Sequence, residues 1–226
     1  MIVAFDADDT LWHNEDKFQE THRAFESLLA PWADATAIND HLNDVQRANI
    51  PRYGFGAKSF MLSMMETALD LSEHEVPPES LREIIALGKA ILDRPTEVLP
   101  GVHDVLASLD HLTLMMITKG DLYAQHASIE KSGLAEYFWR IDVVAHKDAA
   151  TYREVLDRHD VPIDRFVMVG NSVKSDILPV LELGGRGVHV PYHVTWTLEE
   201  PDDDHGHEFP TLETLTDLPD LLESWS

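Results

Sequence analysis

Apolar residues fall into two patterns along this chain. The first is the short unbroken run. MIVAF opens the sequence and stops abruptly at Asp6, and four more runs lie in the second half: LTLMMI (112–117), IDVVA (141–145), FVMVG (166–170) and GVHV (187–190). Runs of this length, closed by polar residues, predict strands buried on both faces, as in a parallel sheet. The second pattern is helical. Leu122, His126 and Ile129 precede a stop at Gly133, Tyr152, Val155 and Leu156 form another face, and Ile177, Val180 and Leu181 precede Gly184 and Gly185. Alternation of the two predicts a parallel sheet with helices on both faces.

Residues 15–94 interrupt that alternation with nothing that reads as a strand. Phe18, Phe25, Leu28 and Leu29 form one amphipathic stretch, and Ile38, Leu42 and Val45 a second. Met61, Met64, Met65 and Ala68 form a third, read as core, and Leu81, Ile84, Ile85, Ile91 and Leu92 a fourth. Pro31, Pro51 and the Pro77-Pro78 pair are expected at helix boundaries. RPTEVLPG (94–101) reads as a return linker before a helix starting near Val102. The fold class is therefore α/β: a Rossmann-like core with a parallel five-stranded sheet, built from residues 1–14 and 95–226, with an all-helical cap, 15–94, inserted after the first strand. TLETLTDLPDLLESW at the end has the spacing of a packing helix. EEPDDDHGHEFP (199–210) reads as a solvated acidic loop, with His205 and His207 beside three aspartates as a metal-holding alternative that lacks fixed geometry.

Charge narrows the partners. The 226 residues carry 41 Asp and Glu against 17 Lys and Arg, a formal charge of −24. Such a surface repels nucleic-acid phosphates and anionic lipids, so neither nucleic acid nor membrane is an expected partner. The apolar runs fall far short of the ~20 residues of a spanning helix, and the N-terminus turns acidic too early for a signal peptide. The absence of cysteine excludes disulfides, thiolate metal sites and cysteine nucleophiles. A cytoplasmic protein is the expectation; oligomeric state is left open by the sequence.

Candidate chemistry gathers where strands end, which is where open parallel sheets place ligands. Asp6 closes the first run and Asp8 lies two residues on, so one turn can present both carboxylates to a small volume, with a hard cation such as Mg²⁺ as companion. Standing alone, the same FDADDT segment would read rather as an acidic turn capping the next helix. It is joined by Thr118 after the second strand, Lys147 after the third, and Asn171, Ser172, Ser175 and Asp176 after the fourth. In order and spacing these resemble the four motifs of the haloacid dehalogenase superfamily over essentially the whole chain, and the helical insertion resembles its C1-type cap.

That resemblance implies a Mg²⁺-dependent phosphatase acting on a small phosphorylated substrate. Asp6 would be the nucleophile that forms an aspartyl-phosphate, and Asp8 the general acid and then base, its carbonyl also ligating the metal. Thr118 would donate to the phosphoryl oxygens, with backbone amides near Ala7, Asp8 and Lys119. Lys147 would offset negative charge, and Asp176 with Asp6 would hold the metal. Dehalogenases of the superfamily lack an acid/base aspartate at the position of Asp8, which favours phosphoryl transfer over carbon–halogen cleavage. Phosphonate cleavage or a phosphomutase-like reaction are further outcomes.

The chain departs from the pattern at Asn171, where many relatives carry an acid. An amide oxygen still ligates Mg²⁺, yet the lost charge keeps open a low-turnover binding or regulatory protein. Ser172 and Ser175 are expected to bond the loop backbone or the Asp176 carboxylate. Lys119 is a second cation beside Thr118, and Arg52, Tyr53 and Lys58 sit around two glycines in PRYGFGAKSF (51–60), a segment suited to closing over an anion or serving as an ordinary connection. Lys119, Arg52 and Lys58 are thus candidate substrate contacts. Asp9 is expected to cap or solvate its loop, and Trp12 and His13 to face the cap cleft or pack. The 13 histidines show no ligand spacing.

Overall fold

Strand β1 (Ile2–Phe5) is the middle strand of a five-stranded parallel sheet, flanked by β2 (Thr113–Lys119) and β4 (Phe166–Gly170), with β3 (Arg140–Val144) and β5 (Arg186–His189) at the edges. All pairings are parallel. The computed structural model describes residues 1–200, 206 and 208–225, so the candidate metal-holding group of His205, His207 and aspartates 202–204 lies outside the described residues. The order β3-β2-β1-β4-β5 reverses direction at β1, and the crevice between β1 and β4 at their C-terminal ends is the topological switch point.

Side-chain alternation explains why these apolar runs are continuous. Val3, Phe5, Leu114, Met116, Val167 and Val169 point to one face, buried under Val105 and Leu106 of α5 (Val102–Ser108), Ile129 of α6 (Leu122–Ser132), and the C-terminal Leu218 and Leu222. Ala4, Met115, Ile117, Phe166 and Met168 point to the other, under Tyr152, Val155 and Leu156 of α7 (Ala149–Arg158) and Val180 of α8 (Leu178–Glu182). Both faces are covered, so the inner strands are apolar between the exposed Thr113 that opens β2 and the polar residues at their C-terminal ends. β2 runs two residues further than its apolar run: Thr118 and Lys119 are its last residues. The C-terminal segment is only a 3₁₀ turn (Leu215–Asp217) and a short helix α9 (Leu218–Glu223), shorter than its leucine spacing predicts.

The chain divides into two compact units, residues 1–15 with 96–226, and 16–95. The second is helical: α1 (Glu15–Leu29), α2 (Ala35–Tyr53), α3 (Ala57–Leu71) and α4 (Pro78–Asp93). Its core gathers Phe25, Leu29, Ile38, Leu42, Met64 and Ile84, with Met61 and Met65 partly buried against them. The Asp34 side chain caps α2 through the Ala37 amide, and Pro77 and Pro78 open α4. Pro51 is no boundary. It lies inside the last turn of α2, where it leaves the Arg47 carbonyl without its helical donor, and the helix ends two residues later at Tyr53. The connection between α2 and α3 is accordingly just Gly54–Phe55–Gly56. Among the described residues, no helix is long and apolar enough to cross a membrane.

Candidate active site

At the end of β1, Asp6 donates its backbone N–H to the Val169 carbonyl of β4, so its side chain emerges at the switch point. The chain then turns sharply. The Leu11 and Trp12 amides both return to the Ala7 carbonyl, and Asp9 takes a left-handed conformation at φ 61°. Asp9 faces away from chemistry: its Oδ1 accepts from the Asn14 and Glu15 amides at 2.8 and 2.9 Å, the capping role expected for it. Burial, ahead of those amide bonds, lifts the Asp9 carboxyl to about 8.

Asp8 is clamped from two sides. The Trp12 indole donates to its Oδ1 at 2.7 Å, and the Gln125 amide donates to its Oδ2 at 2.7 Å. Trp12 is therefore packed, not facing a cleft; it is buried to 1% exposure while using its one polar atom on Asp8. His13 contacts the Tyr192 hydroxyl at 2.5 Å.

Lys147 sits between two carboxylates, with Nζ 2.5 Å from Asp6 Oδ1 and 2.7 Å from Asp176 Oδ1. Asp148 caps α7 through the Thr151 amide and thereby holds the turn that carries Lys147. Burial lowers the Lys147 pKa, but Asp176 and Asp6 outweigh it and hold it above its ordinary value. One ammonium cannot compensate two buried carboxylates in full, so burial still raises Asp6, and raises Asp176 to about 6.

Asp176 rides on a π-helical turn, Val173–Ile177, after β4. Its Oδ2 accepts from the Ser172 amide at 3.0 Å, so with Lys147 on Oδ1 both oxygens are engaged. These bonds let Asp176 place Lys147, and the lone pair left on each oxygen keeps it a candidate metal ligand. Close approach requires Gly170: a Cβ there would lie 2.2 Å from Asp176 Oδ2. The buried Tyr152 hydroxyl donates to the Ser175 carbonyl at 3.1 Å, and His189 of β5 meets the Asn171 carbonyl at 3.1 Å, so neighbouring elements fix the loop at both ends.

Asn171 turns one end of its amide toward Asp6 Oδ2 and the Asp8 carbonyl, 3.2 Å from each. With the NH₂ group there, it donates to both. With Oδ1 there, three oxygens converge, and the Thr10 hydroxyl donates to that same Oδ1 at 3.3 Å. In that second orientation Asp6, Asn171 and the Asp8 carbonyl form an all-oxygen donor set of the type a hard divalent cation takes. Only one of the three is a carboxylate, and among the described residues no group of three or more His, Cys, Asp or Glu could hold a metal.

Lys119 is engaged elsewhere. It forms an ion pair with Glu199 and donates to Ser175 Oγ at 3.0 Å. Glu199 also accepts from the Ser172 and Ser175 hydroxyls at 2.8 and 2.5 Å, and Ser172 Oγ accepts from the Ser175 amide at 3.1 Å, so of the two expected partners the loop backbone is bonded, by Ser172, and the Asp176 carboxylate is not. The start of the acidic loop is therefore not solvated: Glu199 is a largely buried counter-ion, and although burial opposes it, Lys119 and the two hydroxyls hold its carboxyl below the ordinary value. Arg52, in the last turn of α2, and Lys58, in the first turn of α3, belong to the helical unit and are exposed. Asp6, Asp8, Thr118, Lys147, Asn171 and Asp176 are thus brought to one end of the sheet, while Gln125 and Glu199 join them without having been anticipated.

A family model for haloacid dehalogenase-like hydrolases matches residues 1–184. Among solved structures, a haloacid dehalogenase-like family hydrolase from Xanthomonas campestris is 38% identical over 99% of this chain and 91% of its own, with a TM-score of 0.88. A 2-haloacid dehalogenase from Pseudomonas syringae pv. tomato is 21% identical over 100% and 99%, with a TM-score of 0.62. A predicted phosphoglycolate phosphatase from Haemophilus somnus is 14% identical over 98% and 97%, also with a TM-score of 0.62. No curated protein matches the sequence. The last two likenesses concern the fold alone and include both carbon–halogen and phosphoryl chemistry. The motif order, the sheet and the family match agree, and the chain belongs to the haloacid dehalogenase-like hydrolases.

Proposed function

We propose that this hydrolase is a Mg²⁺-dependent phosphatase that acts on a small phosphorylated metabolite through an aspartyl-phosphate on Asp6. The observation that carries the reading is Asp8: a second carboxylate held by two N–H donors on the same turn as Asp6. Carbon–halogen cleavage releases a halide that needs no proton, whereas an alkoxide leaving group does. In this reading an Asp6 oxygen bonds to phosphorus as the bond to the leaving oxygen breaks, and Asp8 protonates that oxygen. Asp8 then takes a proton from the water that attacks the acyl phosphate, which frees phosphate and restores Asp6. Thr118 donates to the phosphoryl oxygens, and Lys147 draws off negative charge from Asp6 during attack. Mg²⁺ held by Asp6, the Asp8 carbonyl and Asn171 Oδ1 would neutralise phosphoryl charge. Asp176 acts through Lys147.

Hydrolysis of p-nitrophenyl phosphate with millimolar Mg²⁺, abolished by chelation and by Asp6→Asn, is the expected result. Unchanged turnover in Asp6→Asn, or halide release from 2-chloropropionate without metal, would overturn it. The neutral Asn171 favours one other reading, a low-turnover binding or regulatory protein. Calorimetric titration with Mg²⁺ separates the two, since the enzyme reading requires saturation at millimolar metal and the other does not.

A further inference from the structure

We propose that Gln125 is a positioning residue for the acid–base step: its amide ties the Asp8 carboxylate to the Thr118 hydroxyl and fixes the direction in which Asp8 presents its proton. The proposal rests on the phosphatase reading above and assigns a role to a helix residue that belongs to none of the four strand-end motifs.

Gln125 is 7% exposed, and its amide is spent on three partners. Nε2 donates to Asp8 Oδ2 at 2.7 Å and to the Lys119 carbonyl at 3.3 Å, while Oε1 accepts from Thr118 Oγ1 at 3.4 Å. The opposite amide orientation would set an oxygen against two acceptors, so the network determines which end faces Asp8. The other Asp8 oxygen is held by Trp12. Two short N–H bonds on the two oxygens fix both the place and the tilt of the carboxyl plane; with one bond alone, the group can rotate about its last torsion.

The local fold is built around this side chain. Asp121 caps α6, accepting from the Ala124 amide at 2.9 Å, and its carbonyl accepts from the Gln125 amide at 2.9 Å, which places Gln125 in the first helical turn beside the end of β2. Gly120 adopts φ 152°, and a Cβ there would stand 2.9 Å from Gln125 Nε2 and 3.2 Å from its Cγ. The turn after β2 thus leaves the space that Gln125 occupies.

In the phosphoryl-transfer step, which kcat/KM reports, the position of Asp8 matters as far as the leaving group needs a proton. As Asp6 bonds to phosphorus, the leaving oxygen departs with the bonding pair and takes the Asp8 proton. A p-nitrophenolate departs as a stable anion and needs little help, whereas an alkoxide depends on it.

The test compares kcat/KM for p-nitrophenyl phosphate and 2-glycerophosphate at fixed Mg²⁺ in the wild type, Gln125→Met, Gln125→Glu and Asp8→Asn. Gln125→Met keeps the volume and removes both ends of the bridge. General acid–base assistance is worth about 10²–10⁴-fold, so a misplaced acid should lose roughly ten- to a hundredfold on 2-glycerophosphate and less than about threefold on p-nitrophenyl phosphate. The loss should fall in kcat with KM little changed. Gln125→Glu keeps an acceptor for Thr118 and turns an oxygen on Asp8, so it should show the same selectivity even if the methionine variant folds poorly. Equal losses on both substrates would mean that Gln125 serves only packing and would overturn the proposal, as would no loss on either. Asp8→Asn must show the same selectivity more strongly; if it does and Gln125 does not, the phosphatase reading stands and the bridge falls. If Asp8→Asn shows none, the acid–base role falls and takes the bridge with it.

Discussion

Lys147 is the residue on which the electrostatics of the site turn. Its ammonium is the shared partner of two buried carboxylates, and nothing smaller or neutral can replace that. Lys147→Met should leave Asp6 and Asp176 facing each other without a cation, at a cost of about 3–5 kcal/mol in urea or thermal melts. Part of that loss should return in a double variant with Asp176→Asn, while hydrolysis stays abolished in both. Asp9 allows a test of opposite sense. Its folded-state pKa, about 8, lies above the ordinary 3.8, so the folded protein holds a proton that the unfolded chain releases. Stability is thus undiminished below pH 3.8 and falls as pH rises towards 8. Asp9→Asn keeps an oxygen for the Asn14 and Glu15 amides, tolerates a left-handed φ and removes the buried charge. It should raise the melting temperature at pH 8 and match the wild type near pH 3.5; a uniform fall at both would show that the second oxygen matters more than the charge.

Secondary-structure elements differ in how openly the sequence declares them. Strand ends were legible because a doubly covered strand must stay apolar until it leaves the sheet, so the first polar residue after each run marks the place where ligands bind. Asp6, Thr118 and Asn171 stand at such positions, whereas Lys147 lies one residue further on, after His146. Gln125 was not legible, because its bond to Asp8 joins residues 117 apart and its helix would tolerate any polar residue at a first-turn position. Glu199 was hidden in a different manner: it opens a run of acidic residues, and only the return of a 3₁₀ turn (Thr197–Glu199) to the end of β2, 80 residues away, singles it out. Pro51 misled by two residues only: the helix carries on past it to Tyr53 before Gly54 ends it. The Glu199 turn carries its own prediction. Because its folded carboxyl titrates below the ordinary 4.5, its contribution to stability is complete above pH 4.5 and is lost as pH falls through the lower, folded value. Glu199→Gln should lower stability at pH 7, where the ion pair with Lys119 is fully formed, so flatten the acid limb of a stability–pH curve, and quicken amide exchange in residues 197–200. An unchanged acid limb would remove Glu199 from the account.

At the scale of the whole molecule, a charge of −24 acts against compactness. At about 1 M salt the screening length drops to roughly 3 Å, so repulsion among surface carboxylates is largely removed while the buried Lys147 group is barely touched. The melting temperature should rise by several degrees between about 0.05 and 1 M NaCl, and a flat or falling series would show that the acidic surface is already locally compensated. The division into two units has a consequence in time. β1 is translated first, yet it is the middle strand, and its neighbours begin only at Thr113 and Phe166. The helical residues 16–95 have near-neighbour contacts to form at once, whereas the central strand must close two long loops before it is paired on either side. On the ribosome, then, an apolar strand ending at Asp6 waits unpaired while the unit that interrupts its own domain folds ahead of it. Productive folding depends on how well that waiting strand is kept from other partners.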